Sequence, residues 1–536
     1  MSRRNADMTI DQNHGNGKIH SNGNGNIQSN GNGRVHKNGS GNGKAAGTMA
    51  WLSQRATEYV IGELLAGLAR APESSYGQLA GMLEKISGDD ENKLMVTHWV
   101  QQFLSPGQPG AAWLKHLLTS VDPSIRKRSL GRFIAQIAFR HGLPVRQLDD
   151  GREIPVPATV IISPTMRCNL RCVGCYAGNY TKQDDLTEEE VVRVIGEARE
   201  LGTRFFVITG GEPFIYEPLF DIVKEFDDCF FQVYTSGHLL TEQKARQIVE
   251  LGNMVPAISI EGFEADTDWR RGPGGFQRVM RAMDMLREAG AMFAFSATVT
   301  QRNLETVISD EFASLMVEKG AHYGWYFSYM PIGRSPDLSL MPTPQQRNQL
   351  REGVIRIRKR YPLLVADFWN DGPLTDGCLS AGRNYLHINN RGDVEPCVFQ
   401  HFAVDNIKEK PLAECLASDF FTAMRKGAPY GKNLLRPCPI IDHPRVLRGL
   451  VKKYGARPTH DGAETILTDA VAEHLDNYSA ELARVMDPVW AREYRWVARF
   501  QGRPEYDWGE AAQPEEAAGM DEAAQPEEAL AAGKSR

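Results

Sequence analysis

Cys168, Cys172 and Cys175 lie within eight positions of one another, in the stretch TMRCNLRCVGCYAG that begins at Thr165. Thiolates are ligands for zinc and for iron–sulfur clusters. Structural zinc almost always takes four protein ligands, so this loop would need a distant His or Cys to complete a zinc knuckle. An iron–sulfur cubane needs no such completion: with three irons held by protein, the fourth iron stays open to a substrate. The rest of the eight cysteines are Cys229, which stands alone, and Cys378, Cys397, Cys415 and Cys438, which fall late. No early segment joins a basic start to an apolar core as a secretory signal would. The thiols are therefore expected to be reduced, in a cytoplasmic protein, and grouped for metal or catalysis rather than for disulfides.

The elements that must position this loop follow from periodicity. PATVIISPT, just before it, reads as a buried strand. DLTEEEVVRVIGEARELG, after it, reads as a helix with apolar spacing of three and four, opened by a capping box of Thr187 and Glu190. RFFVITGGEP, FFQVYTSG, MVPAISIEG, AMFAFSATVT and GWYFSYMPIG are short β-branched or aromatic runs ending in small or polar residues. Helix-like stretches such as TEQKARQIVELG and GGFQRVMRAMDMLREAG separate them. Six alternations of strand and helix predict an α/β fold in which a parallel sheet curls into a partial (β/α)6 TIM-like barrel. In such barrels chemistry sits at the C-terminal strand ends, so the cysteine loop and the polar strand ends should share one mouth.

With Gly210-Gly211-Glu212-Pro213 after the next strand, the C-x3-C-x2-C loop resembles the radical S-adenosylmethionine (SAM) superfamily, in order and spacing from about residue 158 to 335. The resemblance implies that the three cysteines hold a [4Fe–4S] cluster and that SAM chelates its open iron through amino and carboxylate groups. It implies that an electron, from a donor such as flavodoxin or ferredoxin, then breaks the sulfonium C–S bond. The resulting 5′-deoxyadenosyl radical takes hydrogen from an unactivated C–H, while the protein orients the cofactor and keeps water and oxygen out. By the same resemblance Gly210, Gly211, Glu212 and Pro213 support the SAM amino group, the glycines by permitting close backbone approach. Ser236, Ser259, Ser296 and Thr298 stand at strand ends that face SAM or substrate in the family, with ordinary strand-end capping as the alternative. Glu261 is the candidate catalytic residue. One position departs from the pattern: relatives often carry an aromatic before the third cysteine, and here it is Gly174, with Tyr176 just after.

Beyond the barrel, GCLSAGRNYLHINNRGDVEPCVF reads as a hairpin turning at Asn390-Arg391-Gly392-Asp393, which would bring Cys378 and Cys397 toward one metal. This stretch resembles the SPASM/twitch extension of many radical SAM enzymes, which carries auxiliary iron–sulfur clusters. The full SPASM pattern needs more cysteines than remain, so the shorter twitch form is expected. Its single auxiliary cluster would rest on Cys378, Cys397 and Cys438, with a free iron or a non-cysteine ligand such as His401 or His443. Cys415, in the amphipathic run LAECLASDFF, reads as core, with a ligand role as the alternative; Cys229 also reads as core.

Composition sets the remaining expectations. Residues 1–48 are an Asn/Gly-rich tail and 509–536 an acidic tail in which EAAQPEEA occurs twice; both are expected to be disordered, and Met49 could be the natural start. Between them the order expected is a helical N-terminal region (49–157), the barrel (158–335), a linker and auxiliary-cluster domain built of a small β-hairpin plus helix cluster (336–445), and C-terminal helices (446–508). A net charge of −6 over 536 residues gives no support for a nucleic-acid partner, and no apolar run is long enough to span a membrane. The stretch AAWLKHLLTSVDPSIRKRSLGRFIAQIAFRHG is basic and amphipathic. It could lie on an anionic membrane surface, or pack on the barrel as a lid with a solvated basic face. That stretch, with no visible peptide-recognition module, favours a lipid or other hydrophobic metabolite as substrate, met at the inner membrane surface. A peptide or protein maturase is the alternative. A non-catalytic iron–sulfur redox protein is a third reading, which has no use for GGEP.

Overall fold

Strands form where β-branched and aromatic side chains can alternate between the two faces of a pleated surface. The computed structural model describes residues 61–76, 104–105, 107–126, 130, 145–181 and 183–494, all within the unit Gln54–Arg536. After helical residues 61–68 and a 3-10 turn at Glu73–Ser75, helix α1 (Pro109–Ser120) leads toward a two-stranded antiparallel ladder of β1 (Val145–Gln147) and β2 (Glu153–Pro155). The main sheet then adds parallel strands in chain order. These are β3 (Thr159–Thr165), β4 (Phe205–Gly210), β5 (Phe230–Thr235), β6 (Met254–Ser259), β7 (Ala294–Val299), β8 (Tyr323–Ser328) and β9 (Leu364–Asp367). β10 (Tyr385–Ile388) pairs in parallel with β3 on its other side, and β11 (Asp393–Glu395) turns back antiparallel to β10.

The helix after the cysteine loop, α2 (Glu188–Leu201), has the expected capping box. The Glu190 N–H donates to the Thr187 hydroxyl (3.2 Å) and the Thr187 N–H to the Glu190 carboxylate (2.9 Å). Its Val191, Val194 and Ile195 share one buried core with Val160, Ile162, Phe206, Ile208, Phe231 and Val233 of the strands. Burial of each such side chain stabilises by roughly 1.5–3 kcal/mol. The alternate strand residues, Ile161, Val207, Gln232, Tyr234, Trp325 and Phe327, line the interior cavity instead. The period of two therefore divides each strand between core and site.

The fold departs from expectation in three places. The region up to residue 157, read as helical, contains the β1–β2 ladder; β1 is exposed along its length, so it carries no apolar alternation to read. The sheet does not stop at six strands: helix α3 (Pro344–Arg360) leads into β9, where a linker was expected. The hairpin forms, but through β10 it joins the barrel sheet.

The apolar face of α1 packs on the N-terminal end of the barrel. Leu114, Leu117 and Leu118 share a core with Phe230, Val255 and Met292, and the Trp113 indole donates to the His322 carbonyl (2.6 Å). His116 stacks on His322 at 5.0 Å. Burial, then the charge of His116, holds the His322 imidazole down at about 3, so it stays neutral there. The described part of the basic amphipathic stretch is thus a packed floor, its apolar side already covered; 127–129 and 131–142 of that stretch lie outside the described residues. Both tails, Met49 and residues 495–508 also lie outside them. Among the described residues no helix is long and apolar enough to cross a membrane.

Candidate active site

A cavity of about 350 Å³ opens at the C-terminal ends of the strands and carries Cys168, Cys172 and Cys175 on its wall. The same wall includes Gly210, Gly211, Glu212, Ser236, Ser259, Ser296 and Thr298. Pro213 and Glu261 do not line it.

The cysteine loop is docked by backbone. The Gly211 N–H donates to the Thr165 carbonyl (2.9 Å) and the Glu212 N–H to the Arg167 carbonyl (2.8 Å). A Cβ on Gly210 would lie 2.3 Å from the Thr165 oxygen, and one on Gly211 would lie 2.1 Å from the Arg167 oxygen. The two glycines therefore make room first for the start of the cysteine loop, a reason that SAM approach alone did not suggest. The loop is also tied at Val173, whose N–H donates to the Arg270 carbonyl, and at Cys175, whose carbonyl accepts from the Arg334 N–H. Gly174 has φ +62°, and a Cβ there would lie 2.4 Å from the Tyr329 ring. An aromatic at 174 has no space, because Tyr329 already puts a ring there. Burial pushes the Cys168 thiol up to about 11, and its sulfur accepts from the Leu170 N–H (3.4 Å).

Glu212 is an anchor. One carboxylate oxygen accepts from the Thr235 hydroxyl (2.7 Å) and the Phe214 N–H (3.2 Å). The other accepts from the Ser236 N–H (2.8 Å) and the Ser236 hydroxyl (2.7 Å). Ser236 therefore points at Glu212, binding the end of β4 to that of β5. Ser259 and Ser296 share a hydroxyl contact of 3.3 Å. Glu261 is not a free base. It is 1% exposed and ion-paired with both Arg270 (2.7 Å) and Arg271 (2.5 Å), and it accepts from the Thr298 N–H (2.9 Å). Burial alone would raise its carboxyl; the two guanidiniums outweigh that and hold it below the usual range. Its ion pairs hold Arg270 and Arg271, which do line the cavity.

The late cysteines differ in what their sulfurs do. Cys378 Sγ contacts the Ser380 hydroxyl (3.1 Å), and Cys397 Sγ contacts the Tyr385 hydroxyl (2.9 Å) and accepts from the Phe399 N–H (3.4 Å). Cys438 Sγ accepts from the Ile440 N–H (3.4 Å). Donors turned toward sulfur suit thiolates that carry iron. Cys415 and Cys229 instead donate, to the Lys410 carbonyl (4.0 Å) and the Asp228 carboxylate (3.6 Å). Both are buried. Cys415 sits on helix α4 (Leu412–Leu416), and the charges acting on it come from Asp405, Lys410, Glu197 and Glu414, none of them a cysteine. The charges of Cys378, Cys397 and Cys438 all act on Tyr385.

His401 is unsuited to complete that set, since one ring nitrogen bonds His460 and the other the Val398 carbonyl. His443 donates through Nε2 to the Arg436 carbonyl (2.8 Å), which leaves Nδ1. Among the described residues no three of His, Cys, Asp and Glu converge to hold a single metal ion.

Sequence patterns did not single out Arg270 and Arg271, although a doubled arginine after a strand-end acid was a usable signal. Nor did they single out the aromatic wall of Trp325 and Phe327, legible as alternate positions of GWYFS. Ser163, His387 and Glu395 were missed as well. The Ser163 hydroxyl bonds His387 (2.7 Å) and His387 bonds Glu395 (2.6 Å), the outline of a hydrolase triad. All three are fully buried and none lines the cavity, so they tie the hairpin to β3.

Residues 162–307 match the model of the radical SAM superfamily, and residues 378–439 match that of the SPASM iron–sulfur cluster-binding domain. The chain is similar to the AdoMet-dependent heme synthase of Methanosarcina barkeri, 25% identical over 323 residues that cover 55% of this chain and 90% of that protein. It is similar also to the PqqA peptide cyclase of Streptomyces rochei, 28% identical over 364 residues, 62% of this chain and 95% of that one. Among solved structures, Streptococcus suis SuiB bound to S-adenosylmethionine aligns with a TM-score of 0.45 and 18% identity, over 55% of this chain and 71% of that one. With the cysteine loop and GGEP inside the first matched span and the late cysteine set inside the second, residues 162–307 form a radical SAM domain and residues 378–439 a SPASM-type domain, and the chain uses a [4Fe–4S] cluster and S-adenosylmethionine as cofactors.

Proposed function

We propose that this enzyme modifies a side chain of a peptide or protein substrate, by hydrogen abstraction at an unactivated C–H. The observation that carries this reading is the size and lining of the cavity. At about 350 Å³ it is at the small end for ligand sites, and SAM must share it at the cysteine end. What remains, walled by Tyr234, Trp325, Phe327, Phe368 and Phe399, suits one or two side chains of a larger molecule held outside. The similarity to a peptide cyclase supports the same class. The lipid reading loses its main support, because Leu114, Leu117 and Leu118 already pack against the barrel floor.

In this reading Cys168, Cys172 and Cys175 hold the cluster. Gly210, Gly211, Ser259, Ser296 and Thr298 border SAM, and Arg270 and Arg271, steered by Glu261, offer positive charge to a carboxylate. When bound, the cluster and SAM supply the radical chemistry; the chain orients the C–H and excludes water. Flavodoxin or ferredoxin would supply the electron. A flat apolar metabolite is the second reading, favoured by the aromatic wall and by the heme synthase similarity.

The test is 5′-deoxyadenosine release by anaerobically reconstituted enzyme with SAM and reductant. It is measured with a peptide-size aqueous extract of the host, with iron coproporphyrin, and with a lipid extract. Stimulation by the peptide fraction, together with a peptide that loses hydrogen mass, is the expected result. Stimulation by the porphyrin or the lipid alone would overturn the peptide assignment.

A further inference from the structure

Tyr385 belongs to two environments at once. It begins β10, where it pairs with Thr159 of β3, and it lines the cavity. Its ring packs edge-on against Phe368, another wall residue, at 6.1 Å. Its hydroxyl reaches 2.9 Å from Cys397 Sγ on the far side of that wall. A sulfur bound to iron is a thiolate and can only accept, so in the loaded protein the phenol must be the donor.

We propose that Tyr385 is a positioning residue for the auxiliary cluster, its hydroxyl donating to the Cys397 sulfur and thereby raising the reduction potential of a cluster placed one ring away from the substrate cavity. The proposal rests on the reading that Cys378, Cys397 and Cys438 hold that cluster. Reduction adds negative charge to the cluster, and a donor aimed at its sulfur stabilises the reduced form over the oxidised one. Tyr385 is 6% exposed, and in such a site water does not screen the interaction. The backbone donors Phe399 N–H and Ile440 N–H are fixed by the fold. Among the hydroxyl donors, Ser380 does not line the cavity. Tyr385 is the hydroxyl donor that also touches the substrate space, and unlike the backbone N–H of Phe399, which also lines it, its donor can turn, so it couples cluster potential to what fills the cavity.

The experiment uses the full chain carrying Cys168→Ala, Cys172→Ala and Cys175→Ala, in which any remaining cluster is the auxiliary one. Its midpoint potential is followed by EPR-monitored titration with tyrosine, phenylalanine or 3-fluorotyrosine at position 385. Tyr385→Phe keeps the ring and removes the donor, and should lower the potential. The fluorinated phenol is a stronger donor of nearly the same size, and should raise it. A potential indifferent to both changes, with iron retained, would overturn the role of Tyr385 alone. If Tyr385→Phe does not load iron, the fluorotyrosine arm decides, because it leaves the packing in place. Absence of iron from the cysteine-substituted chain with its native tyrosine would overturn the ligand assignment, and the proposal with it.

Discussion

Gly211 sits where a methyl group has no room. A Cβ at that position would lie 2.1 Å from the carbonyl oxygen of Arg167, a backbone atom that cannot swing aside as a side chain can. Gly211→Ala must therefore push the start of the cysteine loop away from the end of β4, breaking the Gly211–Thr165 and Glu212–Arg167 hydrogen bonds that hold it. The expected outcome is loss of the iron held by Cys168, Cys172 and Cys175, with auxiliary iron retained. Iron analysis combined with SAM-binding calorimetry checks it: full iron and unchanged SAM affinity would show that the loop tolerates the displacement. At this scale the motif was legible and the packing behind it was not. GGEP marks itself, but nothing along the chain says that Thr165–Arg167 lies across it. Ser236 looked like a cofactor contact because it ends a strand, and only the folded chain reveals Glu212 as its partner.

Elements were legible where they were long or strongly periodic. The barrel strands and α2 are both. β9 is four residues long, and β1 has no buried face, so neither rises above its surroundings. Yet β9 carries a group with a consequence for stability. Asp367, at its end, is 1% exposed and accepts from the Asn370 N–H (3.1 Å) and side-chain amide (2.7 Å). Burial, then the charge of Asp371, pushes its carboxyl from 3.8 up to about 6. A group that holds its proton more tightly when folded stabilises fully below its unfolded pKa of 3.8. That contribution is lost as pH rises through the folded value of about 6. The interval corresponds to about 3 kcal/mol. Asp367→Asn stays neutral throughout, so its Tm should gain on that of the native chain as pH rises from about 4 to 7. Thermal melts across that range test it; a constant difference would show that Asp367 titrates as an ordinary exposed carboxyl.

At the scale of the whole molecule, two cysteine sets stand on elements far apart in the chain, the first on the cavity wall and the second behind it, in contact with the wall residue Tyr385 through Cys397. The first is pinned by β4. The second depends on α3: Arg347, fully buried, pairs with Asp442 and donates to the Leu435 carbonyl (3.0 Å). Asp442 in turn accepts from the Cys438 N–H (2.9 Å). The hairpin adds Cys397 through β11, and its buried Ser163–His387–Glu395 seam fixes that hairpin to β3. Each set therefore has its own backbone supports, and one should survive loss of the other. A Cys378→Ser, Cys397→Ser double replacement is expected to halve the iron of the reconstituted protein. The iron at Cys168, Cys172 and Cys175, and with it SAM binding, should persist. The double replacement removes sulfurs that contact the Ser380 and Tyr385 hydroxyls and accept from the Phe399 N–H, and serine is too hard a ligand to replace thiolate for iron–sulfur binding. Unchanged iron would make the late cysteines structural and limit the chain to one cluster. Loss of all iron would mean that the two sets fold as one unit, with the Arg347–Asp442 pair and the buried seam transmitting the damage from the hairpin to the cysteine loop.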